Sequence, residues 1–339
     1  MLDIFNNNAF GVVSLTDAIN KPKFAPGRLG QMGLFNERGV TTTTVVLEEK
    51  DGNIVLIAPT PRGSPGQTID KKKANSRAMV VPHFEINDAI YADEVQGIRV
   101  WGTENQIETV QGMVAQRVAI HKPSHEVTLE YQRIGAVVGL ITYADGSTTD
   151  LFQTFGITQA GQIAFNLGTL ANGALRQLVQ QTIRAMAVAL GGIPFTGIHA
   201  LCGDNFFDAL LANVEVRATF LNQPEASRLR DAYIGPGGQT YGSFEFAGVT
   251  WENYRGYVGN TTFIDTDGCH LFPKGVPNLF RTYFAPADYI ETVNTMGQRM
   301  YMKQWRMEND KGVNLDSQMN ALSICTRPEV LFKGTRNAA

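Results

Sequence analysis

The chain has 339 residues, of which 43% are apolar and 18% charged, and a formal net charge of −3. That balance excludes a disordered chain, gives enough length to bury a large core and sets a soft expectation of about two domains. It supplies no basic excess of the kind that neutralises phosphates, so any contact with nucleic acid is expected to be weak and sequence-independent.

Three cysteines, Cys202, Cys269 and Cys325, lie far apart with no CxxC pair. A zinc or dithiol site is therefore not expected, and a reducing compartment is. Met1 to Leu15 carries Asp3 but no Lys or Arg, unlike a secretory leader. The longest apolar run, Ala185 to Phe195, is too short for a bilayer and is broken by Gly191, Gly192 and Pro194. We expect no membrane partner, and synthesis in the cytoplasm.

In chain order, residues 1–40 are rich in Asn, Gly and Pro without periodicity, which predicts an extended arm. Val40 to Glu48 and Ile54 to Ile57 are strand-like around Asp51-Gly52, so a hairpin is predicted there. Residues 58–80 turn polar, and strand character returns at Met79 to Val81. The segment 41–86 thus reads as two extended legs joined by a long excursion.

Thr103 is placed to cap a helix whose apolar residues Ile107, Val110, Val114 and Val118 recur at helical spacing. Val127, Tyr131, Ile134 and Val138 continue that spacing beyond Pro123, which lacks an amide donor and predicts a kink or a break. A second hairpin is predicted from Leu140–Tyr143 and Thr148–Phe152 around Asp145-Gly146. Leu175, Leu178, Val179, Ile183, Met186 and Leu190 define the strongest helix face, ended by Gly191-Gly192.

Asp204 is expected to cap a short helix through Phe206, Phe207, Leu210 and Leu211, with both phenylalanines in the core. Residues 213–243 read as loop, most flexible at Gly235-Pro236-Gly237-Gly238. Short strands then follow at Phe244–Trp251, Thr261–Ile264, Arg299–Trp305 and Ala321–Cys325.

Enzyme signatures are incomplete. His121, His125 and Glu126 could begin a metal hydrolase site, but Leu129 stands where the next histidine is needed and Pro123 disturbs the register. Asp265-Thr266-Asp267-Gly268 starts like a calcium loop, yet Val276 occupies the position of its essential glutamate, so a turn is expected. Gly27, Gly30 and Gly33 have the wrong spacing for a dinucleotide fingerprint, and Gly63-Ser64-Pro65-Gly66 is not a nucleophile elbow. No catalytic, cofactor or metal residue is assigned. The basic cluster Lys71, Lys72, Lys73 and Arg77 is either a solvated loop tip or a contact with acidic groups of a neighbouring subunit.

Gly33-Leu34-Phe35 and Arg38-Gly39-Val40-Thr41-Thr42-Thr43-Thr44 resemble the N-terminal signature of the lambda-type phage major capsid proteins, the capsid E family. So do Asp51-Gly52, Pro59-Thr60-Pro61-Arg62-Gly63, Pro82-His83 and Ala92-Asp93-Glu94. The resemblance implies an α+β fold similar to the Hong Kong 97 phage capsid protein. Its parts would be an N-terminal arm (1–40), an E-loop β-hairpin with its legs (41–86), a long spine helix (about 103–139) and a P domain, the last two together covering 87–190. A central A domain would occupy 195–298, with return strands to the P domain in 299–339.

The implied function is a non-enzymatic head protein that self-assembles into an icosahedral shell around double-stranded DNA. Implied partners are copies of itself as hexamers and pentamers, a scaffolding protein, a portal and, optionally, a decoration protein. On this reading Arg62, Gly63, Ser64, Pro65, Lys71, Lys72, Lys73 and Arg77 are assembly residues of the E-loop, and Pro123 is a hinge in the spine helix. An encapsulin-like cargo compartment and the metal hydrolase are the alternatives.

Overall fold

The computed structural model describes residues 27–49, 75–96, 110–221, 242–259 and 261–337. After a single helical turn, Arg28–Gln31, come β1 (Asn36–Gly39), β2 (Thr44–Glu49), β3 (Asn75–Val80) and β4 (His83–Tyr91). Helix α1 then runs 29 residues from Val110 to Val138, about 44 Å of rod.

Its last turn leads into a hairpin, β5 (Leu140–Thr142) and β6 (Thr148–Asp150), closed through Asp145-Gly146 with Gly146 at φ 82°. Asp150 caps the short α2 (Leu151–Phe155) by accepting from the Gln153 amide at 3.1 Å. Strand character was predicted to continue to Phe152. It stops at Asp150, because that cap starts a helix and buries Leu151, Phe152 and Phe155 on one side.

Beyond β7 (Ile163–Ala164), the amphipathic helix α3 (Ala174–Ala189) buries Leu175, Val179, Thr182 and Met186. Gly191 and Gly192, at φ 63° and 86°, end it as the sequence predicts. The strand β8 (Gly197–Cys202) and helices α4 (Asp204–Ala212) and α5 (Val214–Leu221) follow. Gly203, not Asp204, stands at the cap of α4; the Asp204 carboxylate instead accepts from Asn253 at 2.8 Å and Arg255 at 3.0 Å. Helix α5 occupies a stretch read as loop. It is started by Asn213, whose side-chain oxygen accepts from the Glu215 amide.

The remainder is mostly β: β9 (Ser243–Phe246), β10 (Val249–Asn253), β11 (Tyr257–Val258), β12 (Thr261–Thr262), β13 (Gly268–Lys274), β14 (Phe280–Phe284), β15 (Tyr301–Arg306), β16 (Gly312–Cys325) and β17 (Phe332–Thr335). The predicted strand 244–251 is in fact a hairpin, turning through Ala247 and Gly248 at positive φ. Asp265–Gly268 is the expected turn, with the Gly268 amide on the Asp265 carbonyl at 3.0 Å.

Two main sheets result. One has the order β7-β17-β13-β8-β10-β9, and the strands at its centre are buried on both faces, so they lack the alternation of a half-exposed strand. Phe165, Phe206 and Trp251 interlock against it, with Phe165 edge-on to both other rings. The other sheet is organised by the 14-residue β16, which pairs with β4, β14 and β15, while β1 lies parallel to β14.

Helix α1 packs on β16 through Gln132. Its side-chain amide donates to the Ala321 carbonyl (2.7 Å) and accepts from the Ser323 amide (2.9 Å), as a neighbouring strand would. The described part of the segment 1–40, expected as an extended arm, is not one. Residues 27–39 are built into the body: Leu29 is fully buried and β1 is a sheet strand.

Candidate functional site

The strands β2 and β3 form an isolated two-stranded antiparallel ribbon, in register from Thr44↔Val80 to Glu49↔Asn75. The local hairpin predicted with Ile54–Ile57 is not the pairing seen; residues 50–74, Asp51-Gly52 included, lie outside the described residues. Alternation along the ribbon puts Val45 and Met79 in the core, while Val46 is 58% exposed and Val80 72%.

Arg77 fastens the ribbon's inner side. Its guanidinium donates to the Thr154 carbonyl and lies over the Phe155 ring, 5.7 Å from the centroid. Beside the ribbon a cavity of about 830 Å³ opens between Thr44, Val46, Phe155, Arg281, Tyr283 and Arg327.

The first described residues are held by two buried carboxylates. Glu130 of α1 accepts from the Leu29 amide at 2.7 Å, the Gly30 amide at 3.3 Å and the Tyr254 hydroxyl at 3.3 Å. Burial raises its carboxyl above the ordinary carboxylate value against the pull of those bonds. Glu252 of β10 accepts from Arg28 at 2.6 and 3.0 Å and bonds His199 at 3.0 Å. Burial acts to raise Glu252 as well, but the bonds from His199 and Arg28 outweigh it, and its carboxyl sits below the ordinary value.

Pro123 lies inside α1, which is continuous across it, so the break foreseen as one outcome is absent. The Ser124 hydroxyl donates to the Ile120 carbonyl at 3.0 Å at this point. On either side, His121 and His125 are buried and both bond the Ser317 hydroxyl of β16, at 3.1 and 3.0 Å. Glu126 turns the other way and pairs with Arg299, which also bonds Glu37. Among the described residues no group of three or more His, Cys, Asp or Glu is arranged to hold a metal ion.

Of the residues singled out in the sequence, Arg62, Gly63, Ser64, Pro65, Lys71, Lys72 and Lys73 lie outside the described residues, as does Thr103. Arg77 is described, and it belongs to the ribbon's anchor rather than to a solvated tip. Sequence reading missed Ser317, Glu130 and Glu252. Each finds its partners more than 50 residues away, and no local motif marks them.

The family described as phage major capsid protein E matches residues 11–336. The chain belongs to that family.

Two family relatives, both major capsid proteins, are similar along their whole lengths. That of Pseudomonas phage KPP10 is 26% identical, covering 96% of this chain and 97% of its own. That of Salmonella phage Felix O1 (isolate Felix O1-VT1) is 23% identical, covering 98% and 97%. The fold is also that of solved phage capsids. A chain of the Myoviridae phage XM1 capsid superposes with a TM-score of 0.55 at 12% identity, covering 94% of each chain. One from the cyanophage A-1(L) capsid gives 0.55 at 11%, covering 95% of each.

The α+β fold similar to the Hong Kong 97 capsid is therefore the observed one, and the family's function is that of a tailed-phage head protein forming an icosahedral shell. Neither the cargo-compartment nor the metal-hydrolase alternative is favoured.

Proposed function

We propose that copies of this chain join head-to-tail as hexamers and pentamers, each laying residues 50–74 over its neighbour from the base made by β2 and β3. The observation that supports this is the outer face of the ribbon. Val46 and Val80 are exposed there, on a ribbon that joins the core through its other face, by Val45 and Met79. Apolar side chains on such a projection gain stability only when another surface covers them. Rings of two sizes from one subunit need interfaces that close by rotation and tolerate small changes of angle, which an overlaid strand pair provides.

In this reading residues 41–86 are the E-loop and its legs, and α1 is the spine helix hinged at Pro123. The sheet around β16 belongs to the P domain, and that around β8 and β13 to the A domain. Arg62, Gly63, Ser64, Pro65 and Lys71–Lys73 meet the neighbouring subunit, and residues before Gly27 serve as the arm. No chemical step and no cofactor is required. A scaffolding protein and a portal join during assembly in the host cytoplasm, a decoration protein is an optional later partner, and packaged DNA is touched weakly and without sequence preference.

The test is deletion of residues 62–73, keeping Arg77. The variant should retain the circular dichroism of the full chain and fail to form closed shells in electron micrographs. Normal shells from it would remove the assembly role of this segment.

A further inference from the structure

We propose that His121, Ser317 and His125 form a clasp that fastens α1 to β16 on both sides of Pro123, and that it opens when both imidazoles are charged. The geometry is a chain of three contacts. His125 Nε2 lies 3.0 Å from Ser317 Oγ, Ser317 Oγ lies 3.1 Å from His121 Nδ1, and His121 Nε2 lies 3.4 Å from Asp88 Oδ2 of β4. Serine carries one hydroxyl proton.

With both rings neutral, His125 Nε2–H donates to Oγ, the hydroxyl donates to His121 Nδ1, and His121 Nε2–H faces the Asp88 carboxylate. A first proton is accommodated. A charge on either ring leaves the facing nitrogen of the other free to accept the hydroxyl proton. A second proton must take that last acceptor. The oxygen can accept from both rings, but the hydroxyl proton then loses its partner in the clasp, and two buried cations stand one helical turn apart.

Groups from every surrounding element bear on this site. Helix α1 contributes Glu126, and Arg117, which is 3.5 Å from Asp88 and 3.4 Å from Glu94. Strand β16 contributes Asp316, in register with Lys303 of β15, whose amine is held by Glu291. Burial foremost, and also the charge of His121, hold His125 below the ordinary imidazole value, against a bond to the Ser317 backbone and the Glu126 and Asp316 charges. The doubly charged state is therefore reached only in acid.

The location gives the clasp its consequence. Pro123 has no N–H for the Ala119 carbonyl, so α1 is weakest between the two histidines. Farther along, Gln132 holds the helix to Ala321 and Ser323 through bonds that do not titrate. Opening is thus confined to the helix before Leu129.

The test is amide hydrogen exchange of the full-length chain between pH 7.5 and 4.5, normalised to intrinsic rates, beside an NMR titration of ring-labelled histidines. Protection in residues 117–128 should fall at least tenfold while 130–138 holds. The midpoint should match the lower of two coupled steps shared by His121 and His125. His125→Gln should abolish the acid step, and Ser317→Ala should lower protection of 117–128 already at pH 7.5. Flat protection in the unmodified chain, or a loss whose midpoint follows neither histidine, would overturn the proposal even if neither variant folds.

Discussion

The guanidinium of Arg77 lies over the ring of Phe155 and donates to the neighbouring Thr154 carbonyl, so one side chain ties the β2–β3 ribbon to α2. Arg77→Ala removes a cation–ring contact and a charge-assisted hydrogen bond at a half-buried site, together about 1–2 kcal/mol. The loss should fall on the ribbon. Limited proteolysis should cut within residues 44–80 faster than in the parent chain, and the urea midpoint should drop only slightly. Arg77→Lys should restore little, because an ammonium lacks the planar face that rests on Phe155. Equal cleavage rates in all three proteins would show that the ribbon is held by other contacts.

A second anchor is the buried Glu252, which bonds Arg28 and His199 at once. Glu252→Gln leaves the Arg28 cation facing a neutral amide and should cost about 3 kcal/mol, read as a lower urea midpoint. The pH sign follows from its depressed carboxyl. The stabilisation is fully present above the ordinary carboxylate value and is lost as pH falls through the lower folded value. The parent chain should therefore lose stability below about pH 4.5, and the Gln variant should lose less over that interval.

What the sequence reveals and what it hides follow from how each residue is stabilised. The α3 face from Leu175 to Leu190 and the Asp145-Gly146 turn are local, so spacing and turn chemistry reveal them. The strand β8, Gly-Ile-His-Ala-Leu-Cys, is buried on both faces and shows no alternation. The hairpin suggested by Asp51-Gly52 lies outside the described residues, and the pairing seen joins residues 44–49 to 75–80, the two legs on either side of the excursion. Helix α5, Val-Glu-Val-Arg-Ala-Thr-Phe-Leu, has no apolar stripe. The resemblance to capsid proteins placed the ribbon and the long helix, but it could not show that Ser317 reaches His125 across 192 positions.

His270 gives a distinct acid response. It sits in β13 between Leu201 and Lys333, and burial, followed by the Lys333 charge, lowers its imidazole to about 4. The unfolded chain binds this proton near the ordinary value of 6.5, so it holds more protons than the folded chain between pH 6.5 and about 4. Stability should fall across that window by roughly 3 kcal/mol in urea titrations. His270→Leu should flatten that slope without altering exchange in residues 117–128. An unchanged slope would mean that the folded chain takes up the His270 proton as readily as the unfolded one.

The tightest backbone approach is at Gly297. Its amide donates to the Val40 carbonyl at 2.9 Å, and the Val40 amide donates to the Phe284 carbonyl at 2.8 Å. A Cβ built on Gly297 would stand 1.9 Å from the Phe284 carbonyl oxygen, far inside contact, and this neighbour is backbone that cannot swing away. Gly297→Ala must therefore push the 297 loop off the end of β1 and β14, at a cost of about 2–3 kcal/mol from overpacking and lost bonds. Because Arg299 and its bonds to Glu37 and Glu126 lie two residues on, the displacement should also loosen that exposed ion network. The expected result is a lower urea midpoint, with faster amide exchange at Val40 and Gly297. A midpoint equal to the parent's would show that the loop can move without disturbing either strand.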